Sequence, residues 1–261
     1  MKVLVISNQK GGVGKTTTAI SLGAALATLG KRVLIVDLDP QANATSGLGM
    51  EKNGAIHRVL LKEQPITESV AHTELEGLDL IPSGPDMAGA EVELVPVMAR
   101  EFRLRQALRA AAGEYDIVLV DCTPSLGLLT VNALAAGDGV VVPVQCEYYA
   151  LEGLAQLLDT IEAVRQRLND KLEVLAIVLT MEDRRNRLSM QVVEEVRKHF
   201  PNLVAHTRIP RTVRLAEAPS HGKPISVYDP TSRAAQAYGE LALEVESRMR
   251  ASEPIALAGS A

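Results

Sequence analysis

The sequence contains very few aromatic residues and very few cysteines. Of its 261 residues none is Trp, five are Tyr and two are Phe, which argues against base stacking as the main mode of any nucleic-acid contact. The two cysteines, Cys122 and Cys146, fit no Cys-x-x-Cys metal or redox spacing. Because both stand at the ends of apolar runs, we expect them to be small buried thiols.

Long hydrophobic runs are also missing. No apolar run reaches the roughly 20 residues that span a bilayer. The first run has six residues or fewer before polar Ser7, which is too short for a signal peptide. These features predict a cytoplasmic protein without a membrane contact. The length favours a single domain over residues 1–250, followed by a disordered, small-residue tail over 251–261.

The charged residues are unevenly distributed along the chain. The net charge of −5 argues against a generally basic nucleic-acid binder. Residues 184–223, called the basic segment below, nevertheless contain nine Lys or Arg against three acids, a net charge of +6. Either this segment contacts an anionic polymer or it is simply a solvated basic face.

One stretch near the start of the chain has the pattern of a phosphate-binding loop. An apolar run over 2–6 predicts a buried strand, and helical spacing begins at Thr16 and stops at Gly30. Glycines let backbone N–H groups approach phosphate oxygens, and a lysine and a hydroxyl then serve the phosphates and Mg²⁺. A plain glycine turn would not require Gly-Lys-Thr here. The candidate nucleotide-binding residues are Gly11, Gly12, Val13, Gly14, Lys15, Thr16 and Thr17.

Carboxylates follow two further predicted strands. Asp37 and Asp39 begin a polar loop after the strand over 31–36, where open α/β sheets place their ligands; either could also be a cap. The strand over 115–121 ends at Asp121, which is the pattern of an acid that holds Mg²⁺ together with Thr16. The sequence therefore predicts a Mg²⁺ site at Thr16 and Asp121.

Apolar strands alternate with amphipathic helices along the chain. This alternation predicts an α/β fold of the P-loop NTPase type, with a doubly wound, mostly parallel sheet of seven or eight strands flanked by helices. One or two short helices are expected over 50–75. The predicted strands are 2–6, 31–36, 77–82, 115–121, 139–144, 172–179 and 204–209, and the other predicted helices are 16–29, 100–112, 131–136, 151–168, 188–200 and 232–250.

Four motifs in this order resemble those of one ATPase family. Gln9 replaces the first glycine of the standard loop, and the string from Lys10 to Thr16 resembles the deviant Walker A motif of the ParA/MinD group. The runs 37–41 and 121–127 resemble its two switches, although Thr123 replaces a proline. The run 214–224 favours the chromosome-partitioning ParA/Soj branch, and the resemblance covers roughly residues 2–245.

The resemblance implies an activity and its partners. It implies a Mg²⁺-dependent ATPase that forms a homodimer around two ATP molecules, binds double-stranded DNA non-specifically on the nucleoid, and is stimulated by a ParB-type protein. Lys10 would contact the nucleotide of the partner subunit, and Asp39 would position the attacking water. Adenine would lie near Met181 and Pro210. The first choices for DNA contact are Arg185 and Arg214, and the weaker candidates are Arg187, Arg197 and Lys223.

Three other functions use the same kind of loop. A MinD-like membrane-cycling ATPase needs a basic amphipathic C-terminal helix, whereas residues 240–248 are rich in acids on their polar positions. An iron–sulfur ATPase needs two suitably placed cysteines in each subunit, and Cys122 directly follows Asp121. A kinase or amidoligase would need a second substrate pocket, for which the sequence has no visible pattern.

Overall fold

The structure is a computed structural model that describes residues 1–147, 150–183 and 185–251, without the side chains of Ala150 and Glu152. Arg184 of the basic segment and residues 252–261 of the predicted tail therefore lie outside the described residues. Within the described residues one sheet contains seven strands: β1 (Lys2–Ile6), β2 (Val33–Asp37), β3 (Ala71–His72), β4 (Leu78–Ile81), β5 (Ile117–Asp121), β6 (Gly139–Gln145) and β7 (Glu173–Thr180).

Helices cover the sheet. The last of them includes Ala251, which the sequence had assigned to the disordered tail. The helices are α1 (Lys15–Thr28), α2 (Asn43–Gly47), α3 (Ala55–Leu61), α4 (Ala90–Leu94), α5 (Arg103–Leu108), α6 (Leu128–Ala136), α7 (Ala150–Arg167), α8 (Arg187–His199), α9 (Val213–Glu217), α10 (Ile225–Tyr228) and α11 (Arg233–Ala251).

The strand order is β3-β4-β2-β5-β1-β6-β7. All neighbours pair in parallel except β3, a two-residue edge strand that runs antiparallel to β4. This confirms the predicted mostly parallel sheet. Since parallel strands point the same way, the carboxyl ends of β1, β2, β5, β6 and β7 meet at one edge, where such sheets bind ligands.

The core has two halves, one on each face of the sheet. In β1, Val3 and Val5 belong to the half that packs under α3 to α8. Leu4 and Ile6 belong to the other half, which packs under α1 and α11. Because successive side chains of a strand alternate between faces, an entirely apolar strand requires helices on both sides, as the doubly wound prediction assumed.

The predicted strand over 204–209 is wrong. This segment runs beside β7, and Ala205 and Ile209 donate N–H bonds to Ile177 and Leu179 at 2.8 and 2.9 Å. Between these two bonds, however, the N–H groups of His206 and Thr207 donate to the carboxylate of Glu244 in α11, at 2.9 and 3.1 Å. The side chain therefore replaces the ladder that would have made the segment a strand.

Two other regions differ from their predicted structure. The region 100–112 is not one helix but a 3₁₀ turn, α5 and a second 3₁₀ turn. Asn132 of α6 explains the break, because its amide donates to the Arg100 carbonyl at 2.8 Å and accepts from the Leu104 N–H at 3.3 Å. The region 50–75 contains α3 and a 3₁₀ turn, as expected, and also the unpredicted strand β3.

Candidate functional site

The glycine loop connects β1 to α1 at the carboxyl edge of the sheet. Gly12 and Gly14 have φ angles of 76° and 90°, in the left-handed region that side chains disfavour. No heavy atom lies within 4 Å of the position that a Cβ would take at Gly11 or Gly12, so the loop is open on that side. The Thr180 hydroxyl, at the end of β7, donates to the Val13 carbonyl at 2.8 Å and so fixes the loop to that strand.

Lys15 is the first residue of α1, and its side chain is turned back into the loop. Its ammonium group donates to the Lys10 carbonyl at 3.1 Å, and the residue is only 7% exposed. Burial lowers the pKa of Lys15, while the negative charges of Asp121 and Asp39 oppose that change. The geometry presents a buried positive charge beneath the open backbone of the loop, as phosphate binding requires.

Asp121 lies at the end of β5, in register with Ile6 of β1 and Asp37 of β2. It is fully buried, and neither carboxylate oxygen has a hydrogen-bond partner among the described residues. Burial raises the pKa of Asp121 well above its usual range, the charge of Asp37 adds to this, and the Thr16 hydroxyl opposes it. Unpaired buried carboxylate oxygens with a nearby hydroxyl fit Mg²⁺, which prefers oxygen ligands.

Within the described residues, no group of three or more His, Cys, Asp or Glu side chains could hold a metal ion. This agrees with the usual Mg²⁺ sites of nucleotide-binding proteins. In these sites one or two protein oxygens act together with phosphates and water. Thr16 and Asp121, which the sequence predicts for Mg²⁺, remain the candidate residues of a metal site.

Asp37 and Asp39 have different surroundings. The Asp37 carboxylate accepts hydrogen bonds from the Asp39 N–H at 3.1 Å, the Thr45 N–H at 2.9 Å and the Thr45 hydroxyl at 2.7 Å. Burial raises the pKa of Asp37 to about 6, although these hydrogen bonds oppose the change. Among the described residues, the Asp39 carboxylate accepts only the Gln41 N–H, at 2.9 Å. Asp37 therefore fixes the loop, and Asp39 has one carboxylate oxygen without a hydrogen bond to the described residues.

Lys10 and Lys15 point in different directions. The Lys10 ammonium group lies at the surface, 3.1 Å from Glu147, with 37% of its side chain exposed. It borders a groove that also contains switch residues; the other lining residues are Gln9, Pro124, Ser125, Leu126, Gly153 and Gln156. The structure therefore does not direct Lys10 into the loop of its own subunit.

Met181 and Pro210 lie together in a cavity of about 230 Å³ that opens beside the glycine loop. Gly14 and Thr17 line the same cavity, so the predicted adenine contacts and the loop are neighbours. Thr180, Arg211 and Tyr238 also line it and were missed from the sequence. For Thr180 a signal existed, because it stands at the carboxyl end of a strand; Tyr238 has no such pattern within α11.

The two arginines first chosen for DNA contact lie at different places. Arg185 is 92% exposed, pairs with Asp183 at 3.2 Å, and lines an arginine-rich cavity of about 690 Å³ with Arg208 and Arg211. Arg214, in α9, does not line that cavity and instead pairs with two carboxylates. The structure therefore places both at the surface without joining them in one cavity.

The two cysteines are free and buried, which confirms the prediction. Burial raises the pKa of the Cys122 thiol, and it raises the pKa of Cys146 to about 11. Neither thiol is therefore poised as a reactive thiolate at neutral pH. None of the described helices is both long and apolar enough to cross a membrane.

A parallel sheet whose first strand leads through a glycine loop and Lys-Thr into a helix defines the class of P-loop nucleotide-binding proteins. A family model described as an AAA domain matches residues 1–174. The sporulation initiation inhibitor protein Soj of Bacillus subtilis is 56% identical, covering 94% of this chain and 98% of that protein. The chromosome partitioning protein ParA of Caulobacter vibrioides is 54% identical, covering 96% of both.

Solved structures show the same fold. Cobyrinic acid a,c-diamide synthase from Mycobacterium smegmatis, with bound ADP and magnesium, has a TM-score of 0.85 and 38% identity over 97% of both chains. The same protein has also been solved with an ATP analogue and magnesium. With the identities above, these comparisons establish that the chain belongs to the ParA/Soj family of chromosome-partitioning ATPases.

Proposed function

We propose that this chain is a Mg²⁺-dependent ATPase that binds DNA non-specifically as an ATP-bound homodimer. The observation that carries this proposal is the buried Asp121 carboxylate, unpaired among the described residues, beside Lys15 and the open glycine loop. Such an arrangement has no evident structural role, because a buried carboxylate without partners destabilises a fold. It is explained if residues 1–250 form one ATPase domain that binds Mg²⁺ and a nucleotide.

The residues of the site have separate roles in nucleotide binding. Lys15 and the loop N–H groups bind the β- and γ-phosphates, and Thr16 and Asp121 hold Mg²⁺, which neutralises part of the phosphate charge. The base enters the cavity between Met181 and Pro210. A relative of the same fold binds ADP or an ATP analogue with magnesium, which supports this assignment.

Dimerisation follows from Lys10. Its ammonium group points away from its own loop and toward Glu147 at the surface, where a second subunit could offer it a phosphate. Two subunits that face each other across their loops would each supply one Lys10 to the other's nucleotide. The dimer therefore depends on ATP, because the charge of the phosphates balances two lysines that would otherwise repel.

Hydrolysis of ATP ends the ATP-bound dimer. Asp39 lies at the same sheet edge and keeps one oxygen without a hydrogen bond to the described residues, so it can orient a water molecule. Catalysis by positioning alone is slow until a second protein completes the site. We assign that role to a ParB-type partner that stimulates hydrolysis and so releases the dimer from DNA on the nucleoid.

One experiment tests the proposal directly. Binding to a random-sequence DNA duplex is measured with Mg-ATP, with Mg-ADP and without nucleotide, and the same three states are mixed with anionic liposomes. We expect DNA binding with ATP alone and no liposome binding. Liposome binding with ATP alone would instead support a MinD-like membrane cycle, and equal DNA binding in all three states would contradict both.

A further inference from the structure

Among the described cations of the basic segment, Arg214 has the largest number of carboxylate partners. Its guanidinium group lies 3.0 Å from Glu217 in its own helix and 3.5 Å from Asp229 in the turn after α10. No other Lys or Arg in the described part of the basic segment has two carboxylate partners. A residue chosen for DNA contact is thus already bound by two anions.

The Glu217 carboxylate has a second partner besides Arg214. The hydroxyl of Tyr228 donates to the same Glu217 oxygen that pairs with Arg214, at 3.2 Å. The ring of Tyr228 stacks on His221, with ring centroids 4.9 Å apart. Glu217 is therefore fixed by its neighbours and does not simply follow Arg214 as a flexible surface chain would.

The charges of this cluster do not favour DNA. Arg214, Glu217 and Asp229 together have a net charge of −1, so the cluster repels a phosphate for as long as both carboxylates remain in place. A phosphate must compete with them for the guanidinium group. Exposed ion pairs contribute little, so competition with each carboxylate weakens binding by at most about fivefold.

We propose that Glu217 and Asp229 form a carboxylate clamp that lowers the DNA affinity of each protomer by holding Arg214. This inference rests on the proposed DNA contact of Arg214 and adds to it two positioning residues. In a dimer both clamps oppose binding, and the two Glu217 carboxylates alone limit the affinity by up to about 25-fold. The clamp therefore weakens the DNA contact of every protomer, whether it binds alone or in the dimer.

The test uses Glu217→Gln, which keeps a side-chain oxygen for Arg214 and Tyr228 but removes the charge. With Mg-ATP, we expect DNA to bind about 3- to 20-fold more tightly at about 50 mM salt, and the gain to shrink at about 200 mM because screening weakens the repulsion. ATP turnover without DNA and the ATP-dependent dimer should not change. Glu195→Gln is the control, because it makes the same charge change beside Lys198, 4.0 Å away, and should alter affinity less than twofold.

A second pair of variants shows whether the effect passes through Arg214. In the Arg214→Ala background, Glu217→Gln should change affinity less than twofold, since no guanidinium group is left to release. Equal gains from Glu217→Gln and Glu195→Gln would overturn the clamp and indicate a general charge effect. Weaker binding by Glu217→Gln would also overturn it. Absence of ATP-dependent DNA binding in the unmodified protein would instead overturn the proposed function, and the clamp with it.

Discussion

Three carboxylates at one edge of the sheet show how surroundings assign different roles to the same chemical group. Asp37 accepts three hydrogen bonds, Asp39 accepts one, and Asp121 accepts none from the described residues. The first therefore orders a loop, and the last is available for the Mg²⁺ ion that we propose. Asp39 lies between these extremes, and its hydrogen bond with the Gln41 N–H and its proposed role in hydrolysis can be separated by mutation.

Asp39→Asn and Asp39→Ala make that separation. The amide of Asn keeps an oxygen for the Gln41 N–H but is a weaker acceptor for a water proton, whereas Ala loses both. If Asp39 orients water, both variants should bind Mg-ATP, hydrolyse it at least about tenfold more slowly and accumulate as dimers in size-exclusion chromatography with ATP. Normal turnover by Asp39→Asn would show that the residue only holds the loop through the Gln41 N–H.

Lys10 and Lys15 should differ in the step that they support. Lys15→Ala removes the buried charge of the loop and should abolish nucleotide binding, measured by calorimetry with Mg-ATP. Lys10→Ala should still bind nucleotide as a monomer, yet fail to dimerise and to hydrolyse ATP. Lys62→Ala, at an exposed position after α3, is the control. Loss of nucleotide binding in Lys10→Ala would show that Lys10 acts within its own subunit.

At the scale of elements, α11 stabilises the segment beside β7 through one side chain. Glu244 accepts the N–H groups of His206 and Thr207 and pairs with Arg248 at 2.9 Å. Burial raises the pKa of Glu244, but these hydrogen bonds outweigh it and lower the pKa below the usual 4.5. The carboxylate thus contributes stability above the unfolded pKa, and this contribution is lost as the pH falls through the folded pKa.

Glu244→Gln should therefore lower the free energy of unfolding by about 1–3 kcal/mol at pH 7, as expected for hydrogen bonds to a charged group. The difference from the unmodified protein should shrink as the pH falls below about 4.5, where the carboxylate becomes protonated. Urea denaturation at several pH values measures both effects. Glu240→Gln, on the same helix, is the control, and a pH-independent difference would contradict the explanation.

The elements that sequence predicted well are those with local causes. Six predicted strands lie within two residues of β1, β2, β4, β5, β6 and β7, because a run of apolar β-branched residues needs only its own neighbours to be recognised. The glycine loop is equally local. The wrong predictions depend on side chains distant in sequence. Asn132 interrupts the helix predicted over 100–112, and Glu244 interrupts the strand predicted over 204–209.

The residues of the candidate site likewise differ in whether a local pattern or a contact distant in sequence determines their place. The pattern of the loop predicts Lys15 and Thr16, and an apolar strand that ends in an acid predicts Asp121. The pairing of Arg214 with Glu217 has an ordinary helical spacing of three residues. No local pattern could predict that Lys10 would pair with Glu147, since 137 residues separate them. Contacts of this kind depend on the topology of the sheet.

At the scale of the whole molecule, the proposed DNA contact is a surface of phosphate-binding cations on an acidic protein. If each protomer of the ATP dimer contacts about three phosphates, log affinity against log salt should have a slope of about −5. Arg214→Ala removes one contact from each protomer and should reduce the slope by about 2. Arg109→Ala, exposed and outside the basic segment, should leave it unchanged. A slope near zero would contradict the electrostatic mode.

Neither edge of the sheet offers a long free strand, which matters for a protein that is proposed to bind DNA in many copies. At one edge β3 has only two residues, and at the other the segment 203–211 occupies the outer hydrogen-bonding groups of β7 near Ile177, Leu179 and Glu182. Exposed strand edges are templates for joining one chain to another in aggregates. With these edges covered, many copies of the proposed ATP-bound dimer would lie side by side on one DNA molecule and still separate after hydrolysis.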